Sequence, residues 1–273
     1  MHSLRMIAGL ALMTTSAIAS AHVSYTGRDL IANGTFDGTD TYTLRGLRVT
    51  SNYGWADAAD GDWGDSHKGR FTRFTLTESA SVTITVAAQS GVASTRDDLS
   101  PAFSVYAGTV PQLSHDGATT PGYLANHPGF LPTTNWYTAT GKLGDKEGAW
   151  RALGDFWMGN DSGQANAVTY LGHAIDGAGV DVSGDRVIDW VGDGTANGST
   201  SGSWTLGPGT YTVAIGGACY VCQFTESDAT WQSARALSAS IQIAAVPEPE
   251  TWAMTAGGLA LMALAVRRRR SKA

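Results

Sequence analysis

Phe71-Thr72-Arg73-Phe74-Thr75-Leu76, a turn at Glu78-Ser79-Ala80, and then Val82-Thr83-Ile84-Thr85-Val86 form the stretch that decides the fold. Both runs alternate apolar with polar residues, the period-two pattern of strands that bury one face, and Val82, Ile84 and Val86 share a face. The short polar turn between them predicts a hairpin or two adjacent strands. Residues 102–106 (AFSVY) supply a third strand. Residues 203–206, the turn Gly207-Pro208-Gly209 and residues 210–215 read as strand, turn, strand, and 237–244 (LSASIQIA) alternate once more. Residues 111–201 are broken by Gly, Asp and Asn, with short strand candidates at 135–140, 149–158 and 167–174. Sustained helical periodicity and internal repeats are absent from 22–246. The expected fold is all-β: a jelly-roll-like β-sandwich over 22–245 with a long loop-rich insertion.

Composition agrees. The chain has 273 residues, 34 of them Gly and nine Trp, with 42% hydrophobic and 15% charged residues. That is too apolar for a disordered chain and too poor in long apolar runs for a polytopic membrane protein. A net charge of −6 argues against nucleic acid as a partner, which calls for a basic face.

The two ends state a route. Residues 1–21 read as a signal peptide: Arg5 precedes an uncharged, largely apolar run, and Ala19 and Ala21 form an A-x-A cleavage site, with an overlapping site at Ala17 and Ala19. At the other end Pro247-Glu248-Pro249 is followed by the uncharged 251–266 and by Arg267, Arg268, Arg269 and Arg270. As a helix, 251–266 would span about 24 Å, enough to enter a bilayer, and the arginines would stay on the cytoplasmic side. Between the ends, 22–246 carries 12 basic against 22 acidic residues, a net charge of −10.

VPEPETWAM, the short apolar helix and RRRR resemble the PEP-CTERM sorting signal of Gram-negative bacteria, over residues 246–270. The resemblance implies transient anchoring in the inner membrane, recognition by an exosortase at the Pro-Glu-Pro, and then a cell-surface or extracellular protein associated with exopolysaccharide and biofilm. The passenger is similar in style to the β-sandwich modules of secreted bacterial proteins, such as CUB-like and pre-peptidase C-terminal domains, which says little about activity.

Candidate chemistry within the passenger is sparse. Cys219 and Cys222, the only two cysteines of an exported chain, predict a disulfide; a redox pair would need a helix start, which GGACYVCQF does not offer. No cofactor is expected, with calcium as a candidate either at Asp57, Asp60, Asp62 and Asp65 or at Asp181, Asp185 and Asp189, because hard oxygen ligands crowd Gly-containing loops there. The second loop places oxygens at EF-hand positions 1, 3, 5 and 9 but has Arg186 at position 6 and Gly192 at position 12, and Asp-Gly pairs also make ordinary turns. His22, as a first mature residue, is similar in that single feature to the copper histidine brace of lytic polysaccharide monooxygenases, with His67, His115, His127 and His173 as second ligands. Tyr53, Trp55, Trp63, Trp136, Trp150, Trp157 and Trp190 lie in Gly/Asp-rich contexts, where they would either stack on sugar rings or roof the sandwich. No nucleophile elbow, zinc-protease helix motif or dinucleotide loop is present. The expectation is a non-enzymatic exported protein; the alternative is a secreted carbohydrate-active enzyme with the same tail.

Overall fold

The structure is a computed structural model that describes residues 22–55, 63–114, 148–160, 162, 164–180, 189–219, 222, 233–246, 259 and 262. Its strands are β1 (Thr35–Phe36), β2 (Thr41–Thr50), β3 (Trp63–Asp65), β4 (Arg70–Leu76), β5 (Ala80–Ala88), β6 (Pro101–Ala107), β7 (Ala149–Arg151), β8 (Phe156–Gly159), β9 (Ala165–Ile175), β10 (Gly179–Val180), β11 (Trp190–Val191), β12 (Ser199–Leu206), β13 (Gly209–Gly217) and β14 (Ala234–Ala245). A first sheet has the order β1-β2-β14-β5-β12 and a second β4-β13-β6-β9-β8, and every pairing within them is antiparallel. Among the eight long strands the first pairs with the last, the second with the seventh, the third with the sixth and the fourth with the fifth. That winding is a jelly roll.

The turn after Leu76 therefore joins the sheets instead of closing a hairpin. β4 pairs with β13, and β5 pairs with β14 and β12. Phe74 and Leu76 on one strand and Val82, Ile84 and Val86 on the other belong to the same core, so they face each other across the sandwich rather than lie side by side. The turn 207–208 does the same between β12 and β13. Its flanks register on the first arch, Leu206 opposite Ala80 and Gly209 opposite Leu76.

Two bulges adjust this frame. On β2, Arg45 and Gly46 together oppose the single residue between Leu237 and Ala239 of β14, and Gly46 takes φ +73°, a conformation glycine adopts without penalty. On β9, Tyr170 pairs with Tyr106 and Gly172 with Val105, which leaves Leu171 as the extra residue. Trp204 covers that bulge, donating its indole N–H to the Leu171 carbonyl at 3.2 Å.

The second sheet is buried on both faces. Its inner face shares the sandwich core with the first sheet, through Phe103, Val105, Val213 and Ile215. Its outer face, carrying Phe71, Ala102, Tyr106 and Ala214, lies under a cap built from the 22–25 segment, Trp55, the β7–β8 region and Val180. The region expected to be a loop-rich insertion thus contributes a full interior strand, β9, and part of this cap; its residues 115–147, 161, 163 and 181–188 lie outside the described residues. The strand candidate at 135–140 is among them.

Candidate functional site

The aromatic cap is a closed structure. Trp55 and Trp150 are completely buried, Tyr53 nearly so, and Trp157 and Trp190 half-buried. Trp55 donates its indole N–H to Ser104 Oγ at 2.9 Å, and Ser104 donates in turn to the Ala152 carbonyl at 2.6 Å. The Tyr106 hydroxyl donates to the Arg151 carbonyl at 2.6 Å, so β6 pins the end of β7 and the residue after it by two hydroxyls. Trp55 and Trp150 are therefore core residues with no face free for a sugar ring. Trp136 and the side chain of Trp63 lie outside the described residues.

Within the cap, Trp55 meets Trp190 edge-on at 5.9 Å and His173 at 5.7 Å between ring centroids. The Tyr170 hydroxyl is 2.5 Å from His173 Nδ1. Strict alternation would put residues three apart on opposite faces; the bulge at Leu171 brings both onto the outer face. Burial lowers the His173 pKa and pushes the Tyr170 hydroxyl up to about 12. The neutral imidazole is thus favoured, accepting at Nδ1 from a phenol that stays protonated.

Of the first calcium set, Asp57, Asp60 and Asp62 lie outside the described residues. Asp65 ends β3, buried, and its carboxylate is engaged within the chain. Oδ1 accepts from the His67 backbone N–H and lies 2.8 Å from His67 Nδ1, and Oδ2 lies 3.0 Å from Lys68 Nζ. Burial alone would raise this carboxyl; the His67 side-chain hydrogen bond, the Lys68 charge, the His67 charge and the His67 N–H outweigh it and hold the carboxyl well below the usual carboxylate range. Of the second set, Asp181 and Asp185 lie outside the described residues, and exposed Asp189 donates its backbone N–H to Val180 across the β10–β11 pair. Among the described residues no group of three or more His, Cys, Asp or Glu is arranged to hold a metal ion. His115 and His127 are not among the described residues.

Cys219 and Cys222 are joined by a disulfide. Cys219 N–H donates to the Asn52 carbonyl at 2.8 Å, while the Asn52 amide donates to the Asp98 carbonyl at 2.6 Å and accepts from Ser100 N–H at 2.8 Å. Asp98 also accepts from the fully buried Arg235, Nε to Oδ1 at 2.9 Å. This is a structural corner tying the 51–55 loop to the start of β14.

The outer face of the first sheet is a feature that tryptophan counting missed. Cross-strand register places Thr43, Ser240, Thr85 and Ser201 in one row, and Thr41, Gln242, Thr83 and Ser203 in the next. Ser81 and Thr205 begin a third. Thr43 and Ser240 hydroxyls lie 3.1 Å apart, and those of Thr83 and Ser203 2.8 Å apart. On β14, β5 and β12 every outward position is hydroxyl, amide or alanine, without one charge; charges lie at the margins, with Arg45 and Arg48 at the β2 bulge and the Asp40 carboxylate, which accepts from the Gln242 amide at 2.8 Å, before β2. The signal was present in the alternation itself, whose polar half is Thr and Ser where a solvated strand usually carries Lys or Glu.

β14 runs without a gap into the C-terminal tail: Ala245 pairs with Ala80, and exposed Val246 is the last residue before Pro247. Residues 245–270 match the family described as the PEP-CTERM protein-sorting motif. The chain carries a PEP-CTERM sorting tail. The PEP-CTERM tail marks an exported protein, anchored in the membrane before release and recognised by an exosortase. Pro247, Glu248, Pro249 and the four arginines lie outside the described residues, as do 1–21 and all of 251–266 except Leu259 and Met262. Among the described residues no helix is long and apolar enough to cross a membrane. No curated protein sequence matches the chain. Three solved structures are similar at low identity. CorA, a surface-associated copper-binding protein of Methylomicrobium album BG8, is 16% identical with a TM-score of 0.46, over 77% of this chain and 96% of that one. The copper-binding secreted protein MopE of Methylococcus capsulatus is 13% identical with a TM-score of 0.37, over 83% and 92%. PliG of Aeromonas hydrophila, a periplasmic inhibitor of g-type lysozyme, is 12% identical with a TM-score of 0.27, over 77% and 91%.

Proposed function

We propose that this exported protein is a non-enzymatic component of the cell surface or extracellular matrix, and that it holds neutral exopolysaccharide on the outer face of its first sheet. The observation that carries the reading is the row of hydroxyls Thr43, Ser240, Thr85 and Ser201 that crosses β2, β14, β5 and β12 without a charge, with Thr41, Gln242, Thr83 and Ser203 beside it. Hydroxyls both donate and accept, so a flat array of them matches a polyhydroxylated chain in either sense of each bond. Strand spacing of about 4.8 Å, and about 6.8 Å between same-face residues, presents partners at sugar-sized intervals. A surface of net charge −10 elsewhere keeps the protein soluble and turns away polyanions.

The test uses purified 22–246 and the host's extracellular polysaccharide. Retention on the polysaccharide without new reducing ends supports the reading. Replacing Thr85 with lysine should abolish retention while leaving thermal stability within about 1 kcal/mol, since this partly exposed side chain lies on the outer face of the sheet. Release of reducing ends would instead favour the secreted carbohydrate-active enzyme.

A further inference from the structure

The tail leaves the domain with almost no spacer. Ala245 is still paired with Ala80, and Ile243 N–H still donates to the Asp40 carbonyl at 3.0 Å, so β14 is anchored on both sides to its end. Pro247 is two residues beyond Ala245 and, even fully extended, lies within about 7 Å of it. Whatever reads the Pro-Glu-Pro must touch this rim of the sandwich. Beside that exit lies a groove of about 480 Å3, lined chiefly by Ile31, Leu76, Thr77, Ala80, Ile243 and Ala245. Glu78 is the one charged residue in its lining.

We propose that this groove is a docking surface for the exosortase, so that the folded passenger supplies part of the recognition that the sorting motif begins. The proposal rests on the assignment of the tail as an exosortase substrate. Three observations select this occupant. The groove adjoins the motif at a distance shorter than any protein could avoid bridging. It is apolar where it meets the exit, as the core of a protein–protein contact is. Glu78, the one charge in the groove's lining, is acidic, which suits a basic side chain on a protein partner and disfavours an anionic bilayer surface.

The experiment follows the full chain in its own host by pulse–chase, reading the conversion of tailed to trimmed protein. Thr77→Arg and Ala245→Arg change exposed groove positions without entering the core. Each is expected to slow conversion about fivefold or more, with the melting temperature of purified 22–246 unchanged. A flexible spacer of about ten residues between Val246 and Pro247 uncouples the groove from the motif. It is expected to slow conversion to a similar degree and to remove any further effect of the groove variants. Conversion of both variants at the wild-type rate would overturn the proposal, as would a spacer that speeds conversion, because the passenger would then merely obstruct the enzyme. Binding of the wild-type protein to anionic vesicles that is lost in Thr77→Glu, in parallel with slower conversion of that variant, would make the bilayer the occupant and equally overturn it. A wild-type chain that keeps residues 267–270 on the exported product would instead remove the sorting assignment itself, a result separable from the others because no variant is needed to see it.

Discussion

His173 shows how a single residue acquires its character from the backbone. Its Nδ1 accepts from Tyr170 only because a bulge rotates the strand between them, and the Trp55 indole packs beside it and covers part of the ring. Burial lowers its pKa, so the folded state prefers the neutral ring more than the unfolded chain does. The linkage has a definite sign. The contribution is fully present above the unfolded value of about 6.5 and is lost as pH falls through the lower folded value. Melting temperature should therefore drop on acidification from neutrality to about pH 5 more steeply in the wild type than in His173→Gln, which keeps an acceptor for Tyr170 without titrating. Asp65 does not mask the difference, because its carboxyl is held below the usual carboxylate range and stays ionised throughout that interval. Equal slopes for the two proteins would show that His173 is not desolvated in solution.

At the level of elements, the sequence announces strands far better than it announces partners. Val82, Ile84 and Val86 mark β5 by alternation, yet nothing local distinguishes a hairpin from an arch across the sandwich; that choice is made by Tyr211, Val213 and Ile215, some 130 residues away, which pair with β4. β2 escaped notice because its bulge shifts the apolar phase between Leu44 and Leu47, and β9 read as a fragment because Gly172 and Leu171 break its period. The hydroxyl face was legible residue by residue, since each strand's polar half is visible, but its continuity across strands exists only in the register. Of the two readings open to the tryptophans, the roof over the sandwich holds for Trp55 and Trp150; composition leaves both open because a cap and an exposed loop are equally rich in Gly and Asp. Bulge geometry also makes a prediction. At Gly172 φ is +150°, and a Cβ there would lie 2.7 Å from Trp204 Nε1. Gly172→Ala should cost about 1–3 kcal/mol by strain and displacement of the indole. Because the same bulge aligns Tyr170 with His173, the variant should also lose the acid-dependent part of its melting temperature. Gly207→Ala, where a Cβ meets nothing within 4 Å, should leave both properties unchanged.

For the whole molecule, the order of strands along the chain and their order in the sheet are in tension. β14 comes last among the described strands but lies between β2 and β5, with Leu237, Ala239 and Ile241 completely buried in the sandwich core. Without it the first sheet has a gap, and the edges of β2 and β5 expose unpaired backbone groups to the core and to solvent. Residues 22–233 should therefore show no cooperative thermal transition, whereas 22–246 should unfold in a single one. Adding a peptide of residues 234–246 to the shorter chain should restore the transition in a concentration-dependent way, since binding to the folded form alone stabilises it by mass action. The same gap constrains where the tail can be cut. Trimming within β14 would remove a central strand, so the surface form is expected to keep Ala245, and the mass of its C-terminal peptide should place the new end at Val246 or beyond. An exported, folded product ending before Ala239 would contradict the central position of β14, because the burial of Ala239 and Ile241 would then contribute nothing that the fold needs.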